Sequence, residues 1–239
     1  GYTAVARRPK TGQHCCAVFC RPRFEPVEEL SFGFQGTFQS AALVLLRDML
    51  PMQRRECDGE DPGRQPMEHL LVGMAHLKAG GPDYTHVRVK QMTELLSRVE
   101  EACSSSVSSI CSSSRRPGVV LCGDWNDPAG GPVEELVREC SALDLSSAYR
   151  DPFPEPAFTA QELGASWCDA KIEGVPPGGY MATLDYVYHC QRLHAKAVLQ
   201  EPDFQATIRE GPRTGIPSAE YPSDHVALAA TLCWQRPCR

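Results

Sequence analysis

The chain has 239 residues, of which 42% are hydrophobic and 23% charged, and carries a formal net charge of −6. Those proportions are globular and exclude a wholly disordered or fibrous chain. The acidic balance excludes a protein that coats long nucleic acid, a mode that works through many Lys and Arg contacts releasing counterions, but admits a short RNA end or a single nucleotide. The twelve cysteines are scattered, many inside apolar runs, and read as buried thiols in a reducing compartment rather than a disulfide framework or a zinc site. No run reaches the ~18 consecutive apolar residues of a membrane span. No signal peptide is recognisable; a cytoplasmic location is expected, with a mitochondrial one left open because Gly1 is not an initiator Met.

In chain order, residues 15–20, 42–46, 70–75, 119–122, 184–188, 195–199 and 226–232 are predicted strands: short apolar runs bounded by Gly, Pro, Asp or charge. Several are apolar on both faces, as in strands buried between layers. Over residues 84–99, Val87, Met92, Leu95, Leu96 and Val99 recur at helical spacing. A second helix is predicted from Pro132, where proline suits the first turn, with Glu134 and Glu135 complementing the dipole and Val133, Leu136, Val137 and Cys140 on the buried side. Residues 52–65, a serine-rich surface insertion at 103–118, and residues 152–179 are predicted loops. Strands interleaved with helices predict a layered α/β or α+β domain over residues 1–239.

Four motifs carry chemistry. Gly123-Asp124-Trp125-Asn126-Asp127 follows an apolar strand, so a carboxylate and an amide at period-two spacing lie on one side of the sheet's end, where they can orient a water and hold a phosphate oxygen. Tyr221-Pro222-Ser223-Asp224-His225 joins a metal-binding or orienting carboxylate to an imidazole near neutral pKa. Asp185, inside the apolar Thr183-Leu184-Asp185-Tyr186-Val187, needs a partner to offset its desolvation, and a histidine is the natural one. Val72-Gly73-Met74-Ala75-His76-Leu77-Lys78-Ala79 ends a strand with His76 and Lys78 available to an anion.

In this order, His-Leu-Lys-Ala, Gly-Asp-x-Asn, Leu-Asp-Tyr and Ser-Asp-His resemble the endonuclease/exonuclease/phosphatase superfamily, in the branch of nocturnin, the carbon catabolite repressor deadenylases and the Angel proteins. Cys16-Ala17-Val18-Phe19 with Arg23-Phe24, and Gly211-Pro212-Arg213 with Ile216-Pro217-Ser218, extend the resemblance over nearly the whole chain. It implies a deoxyribonuclease I-like, four-layer sandwich of two mixed β-sheets flanked by helices, and Mg2+ as cofactor, for which Mn2+ can substitute. It also implies hydrolysis of the 2′-phosphate of NADP(H) or of the 3′ end of poly(A) RNA, and mRNA-decay proteins as partners. Asp124 resembles the acid that activates water, Asn126 the amide on the scissile phosphate, and His225, held by Asp185, the imidazole on that phosphate. His76 resembles a second phosphate-binding histidine, and Asp224 the carboxylate on the metal side. Lys78, Arg8, Lys10, Lys171 and Trp167 are the candidate substrate contacts.

In this family the principal metal Glu lies in a Gln-Glu-Val-like strand before the region that resembles Gly1-Tyr2, and Glu25, Glu28 and Glu29 sit in the wrong place to replace it. The chain from Gly1 to Arg239 is accordingly expected to bind magnesium weakly and to be nearly inactive on its own. The competing expectation is an inactive fragment or binding module of the same fold.

Overall fold

A computed structural model describes residues 1–5, 16–49, 68–109, 116–150, 152–162, 180–200, 216–217 and 222–235. Its centre is a six-stranded sheet built from β3 (Phe24–Gly33), β4 (Ser40–Asp48), β5 (His69–Ala75), β6 (Gly118–Asp124), β7 (Leu145–Ser147) and β10 (Asp185–Cys190). Their order across the sheet is β3-β4-β5-β6-β10-β7. Only β5 and β6 run parallel among these neighbours. A parallel pair needs a long crossover, and α1 (Thr85–Ser109) supplies it.

Alternation of side chains sorts the sheet's residues onto two faces. Leu43, Leu45, Leu71, Leu121, Tyr186 and Tyr188 face α1 and α2 (Pro132–Glu139) and join Met92, Leu95, Val99, Val133 and Val137 in the main core. Val44 and Leu46 face the other way, against Val5, Val18 and Cys20 of the two-stranded pair β1 (Thr3–Val5) and β2 (Val18–Cys20). This explains why β4 is apolar at consecutive positions: both of its faces are covered.

Two further two-stranded pairs complete the described architecture: β8 (Ala160–Glu162) with β9 (Tyr180–Ala182), and β11 (Leu193–Val198) with β12 (Ala230–Trp234). Although β11 follows β10 after two residues, it leaves the central sheet and pairs with β12. Sheet on sheet with helices outside is the expected α+β, deoxyribonuclease I-like class. Among the described residues the second layer consists of these short pairs, and both helices lie on one face of the central sheet.

The short strands β1, β7, β8 and β9 are not expected from the sequence, and three further elements differ from the expectation. Phe24–Gly33 forms a strand that its pattern, interrupted by Pro26, does not announce; it lies at the sheet's edge, where proline is tolerated, and its register shifts between Pro26 and Glu28. The serine-rich insertion is not a loop from its start: α1 runs on to Ser109, with Cys103 buried in the core; residues 110–115 lie outside the described set. The final strand begins at Ala230 rather than at 226. The predicted loop at 52–65 lies outside the described residues, as does 163–179 of the predicted loop at 152–179, whose described part ends in strand β8 rather than loop.

Candidate active site

The parallel pairing of β5 with β6 puts the C-terminal ends of both strands at one edge, and β10, antiparallel to β6, begins at that same edge. Asp124 closes β6, Asp185 opens β10, and the two are direct cross-strand partners. Since Leu121 and Tyr186 face the helices, Asp124 and Asp185 both project from the opposite face. His76 follows the last residue of β5 and reaches the same place: its Nε2 is 3.5 Å from Asp124 Oδ2.

The strand end is shaped by the residues around Asp124. Gly123 has φ +137°, and a Cβ there would lie 2.0 Å from the carbonyl oxygen of Ala75, so glycine is required for β5 and β6 to approach. Trp125 is fully buried and stacks on Tyr186, with ring centroids 4.5 Å apart. Asn126 takes a left-handed conformation, φ +52°, which asparagine tolerates better than most residues. Its N–H donates to Asp124 Oδ1 at 2.9 Å, and its Nδ2 donates to the carbonyl of Leu77 at 3.2 Å. Leu77 N donates in turn to Asp124 O at 2.9 Å, so the His76–Lys78 turn and the Gly-Asp-Trp-Asn turn are fastened to each other.

His225 arrives from a segment outside the central sheet. Its Nδ1 is 2.8 Å from Asp185 Oδ2, the pairing expected for that acid, and its Nε2 is 4.0 Å from Asp124 Oδ2. Two imidazole Nε2 atoms therefore converge on one carboxylate oxygen. Ser223 Oγ accepts from His225 N at 3.1 Å, and His225 bridges to Ala160. A cavity of about 590 Å³, lined in part by Gly123, Asp185, Ser223, His225 and Val226, opens beside the dyad.

Burial, and then the neighbouring Asp185 charge, push the Asp124 carboxyl up to about 6; its hydrogen bonds with Asn126 and the nearness of His225 act in the opposite direction. The hydrogen bond to Asp185 raises His225 to about 9, against the desolvation that lowers it. At neutral pH the pair is thus a carboxylate close to its titration point beside an imidazolium.

Several supporting residues carry no signal in the sequence. Arg88, on α1, is buried, and its guanidinium sits 3.3 Å from Asp127 Oδ1 while donating to the carbonyls of Lys78 and Gly80 and to Thr85 Oγ1. Asp127 Oδ2 accepts from Val133 N at the start of α2, and Tyr186 Oη donates to Asp127 O. One buried ion pair thus ties together both turns and both helices. Gln91 accepts from Lys78 N at 2.9 Å. Thr159 accepts from the backbone of Leu184 and Asp185. A charged or amide residue among the apolar positions of a predicted helix was the available hint for Arg88 and Gln91; Thr159, in a proline-rich stretch, offered none.

The structure brings Asp124, Asn126, Asp185, His225 and His76 together. Lys78 stands at the rim, with Nζ 4.5 Å from the centre of the Tyr84 ring. Asp224 is exposed and is not among the ligand atoms that cluster with Asp124, Asp185 and His225, though its charge adds to the rise of His225. Arg8, Lys10, Lys171 and Trp167 lie outside the described residues. Glu25, Glu28 and Glu29 lie on β3, three strands away from β6.

Ligand atoms of Asp124, Asp185 and His225 all lie within 4.8 Å of one another. Two carboxylates are hard oxygen donors suited to Mg2+ or Mn2+, and a cation would offset the burial and mutual repulsion that raise Asp124, so the residues fit a divalent ion. With His225 Nδ1 facing Asp185 and the ring cationic at neutral pH, the carboxylate oxygens are the atoms that would meet it.

A mixed central sheet, a second β layer and a cluster of carboxylates and imidazoles at the strand ends form the deoxyribonuclease I-like arrangement expected from the motifs. No family model matches the chain. The chain is 26% identical to rat nocturnin over 220 residues, 90% of this chain and 42% of that protein. It superposes on the human nocturnin catalytic domain with bound sulfate at a TM-score of 0.65 and 20% identity, covering 98% of this chain and 73% of that one. For ANGEL2, a 2′,3′-cyclic phosphatase in complex with adenosine-2′,3′-vanadate, the TM-score is 0.67 at 17% identity, covering 97% and 74%. In sequence the chain is similar to nocturnin over most of its length, and in fold it is similar to the nocturnin and ANGEL2 structures, the resemblance expected from its motifs. It spans less than half the length of the curated nocturnin it matches. Among the described residues no helix is long and apolar enough to cross a membrane.

Proposed function

We propose that this chain is the hydrolytic part of a divalent-cation-dependent phosphoesterase that acts on adenine nucleotides, with the 2′-phosphate of NADP(H) as the preferred substrate and the 3′ end of poly(A) RNA as the alternative. The observation that carries the reading is the convergence of two imidazole Nε2 atoms, from His76 and His225, on Asp124 Oδ2. A phosphoryl group held between the two imidazole edges would place its phosphorus beside that oxygen. Asp124, whose Oδ2 faces both imidazoles, is then placed to take a proton from the attacking water. His225, cationic and oriented by Asp185, stabilises the charge that develops on the phosphate oxygens. Asn126 keeps one amide proton beyond its bond to Leu77 for a phosphate oxygen. A bound divalent cation, which Asp124 and Asp185 would hold, supplies Lewis-acid stabilisation of the phosphate and leaving oxygen. The acidic net charge favours a small substrate over a long polyanion, and the adenosine-2′,3′-vanadate bound by the structurally similar ANGEL2 fits an adenosine phosphate.

The test is release of inorganic phosphate from NADPH, and of AMP from oligoadenylate, with Mg2+, with Mn2+ and with a chelator. Phosphate from NADPH that the chelator abolishes is the expected result. AMP from oligoadenylate alone would move the assignment to a deadenylase, and no cation-dependent release from either substrate would overturn it.

A further inference from the structure

Both members of the Asp185–His225 pair are attached to a single buried residue that the proposed chemistry does not use. Thr159 is fully buried. Its Oγ1 accepts two backbone hydrogen bonds, from Leu184 N at 2.8 Å and from Asp185 N at 2.9 Å. Its carbonyl accepts from Val226 N at 2.7 Å, the residue after His225, and its own N–H donates to Ala182 O at 3.0 Å. One residue further on, Ala160 bridges to His225 itself, and Gln161 N donates to Asp224 O at 2.9 Å.

This arrangement solves a problem of chain geometry. The dyad partners are forty residues apart in sequence, Asp185 on the central sheet and His225 on a segment outside it, so no shared ladder sets their separation. At the start of β10 the amides of Leu184 and Asp185 point to the hydroxyl of Thr159, and buried amides must have an acceptor. A hydroxyl has two acceptor lone pairs and satisfies both. The same residue's backbone continues into the pairing with the His225 segment, so Thr159 measures the gap between the two partners.

We propose that Thr159 is a positioning residue that sets the Asp185–His225 geometry through its hydroxyl. The proposal rests on the reading of this dyad as the phosphate-stabilising pair, yet its structural half can be measured without any substrate. Thr159→Val keeps the shape and both main-chain bonds while removing the acceptor. Its Leu184 and Asp185 amide protons should exchange at least about 10-fold faster, the amount one lost hydrogen bond allows. The downfield proton resonance of His225 Nδ1–H should broaden or vanish. Misplacement of an oriented group should lower kcat by roughly 10- to 100-fold, with KM within about twofold of wild type because no substrate contact is removed. Thr159→Ser, which keeps the oxygen, should restore all three.

Should Thr159→Val not fold, Thr159→Ala is measured in its place against Thr159→Ser. Wild-type exchange and an unchanged His225 resonance in a folded variant without the hydroxyl would overturn the proposal. A chain with no phosphoesterase activity, in which the exchange and resonance effects still appear, would instead overturn the functional reading and leave the positioning role standing. Equal loss of kcat in Thr159→Val and Thr159→Ser would assign the effect to the methyl group's packing and also overturn it.

Discussion

Asp124 and its companions hang from one continuous sheet, whereas the Asp185–His225 dyad joins that sheet to a segment outside it. On the first side, ladder register alone sets Asp124 opposite Asp185, and the turn after β6 is locked by Trp125, by Asn126 and by the buried Arg88–Asp127 pair. On the second side, the imidazole depends on a bridge to Ala160 and on contacts through Thr159. A shared sheet makes precision a by-product of the hydrophobic pattern. Where no ladder is shared, single polar groups must supply it.

The sheet-based side should break through stability. Arg88→Met leaves Asp127 buried without its charge partner and should cost about 3–5 kcal/mol, read as a lower midpoint in urea unfolding. A change below about 1 kcal/mol would show that Asp127 finds solvent or another donor, and that the two turns are not fastened through this pair.

The chemical groups themselves should break activity without unfolding. Asp124→Ala and His225→Ala should each lower turnover by roughly 100-fold or more, with circular dichroism and unfolding midpoint little changed. Either variant at wild-type turnover would remove that residue from the mechanism.

The dependence on pH should sharpen the comparison. Asp124, raised to about 6 by burial and the Asp185 charge when no cation is bound, loses its basic form as pH falls; the cation offsets that rise, so the acidic limb of kcat/KM should lie below pH 6. His225, raised to about 9 mainly by its bond to Asp185, loses its charge as pH rises through about 9, which sets the alkaline limb. Asp185→Asn removes that partner and should draw the alkaline limb down towards the ordinary histidine value of 6.5, leaving the acidic limb in place or lower. An alkaline limb unmoved by Asp185→Asn would break the assignment. The smallest effect is expected at the rim: Lys78→Met should raise KM for NADPH only a few-fold, because an exposed charge contact is worth about 1 kcal/mol or less, and an unchanged KM would place Lys78 outside the substrate's reach.

The parts legible in the sequence were those encoded by short-range pattern. Val119 to Cys122 is an apolar run whose end, Gly-Asp-Trp-Asn, had to be a turn at a sheet's edge, and β5, β10 and α2 announced themselves similarly. The edge strand Phe24–Gly33 did not, since an edge position relaxes the pattern that identifies a strand. The continuation of α1 through its serines was also illegible, because packing of Cys103 against the core overrides weak local preference.

By itself the sequence determined the strand ends, the identity of the carboxylates and imidazoles, and the need of buried Asp185 for a partner, because residue type and period fix which groups reach a sheet's edge and which cannot be buried alone. Only the tertiary structure decided that Asp124 faces two imidazoles, that Asp224 is exposed while its neighbour His225 is half-buried against Asp185, and that Thr159, Arg88 and Asp127 support them. Those relations join residues tens of positions apart through single hydrogen bonds. A hydrogen bond is decided by tenths of an ångström in the packed fold, a scale that no local pattern of residues encodes.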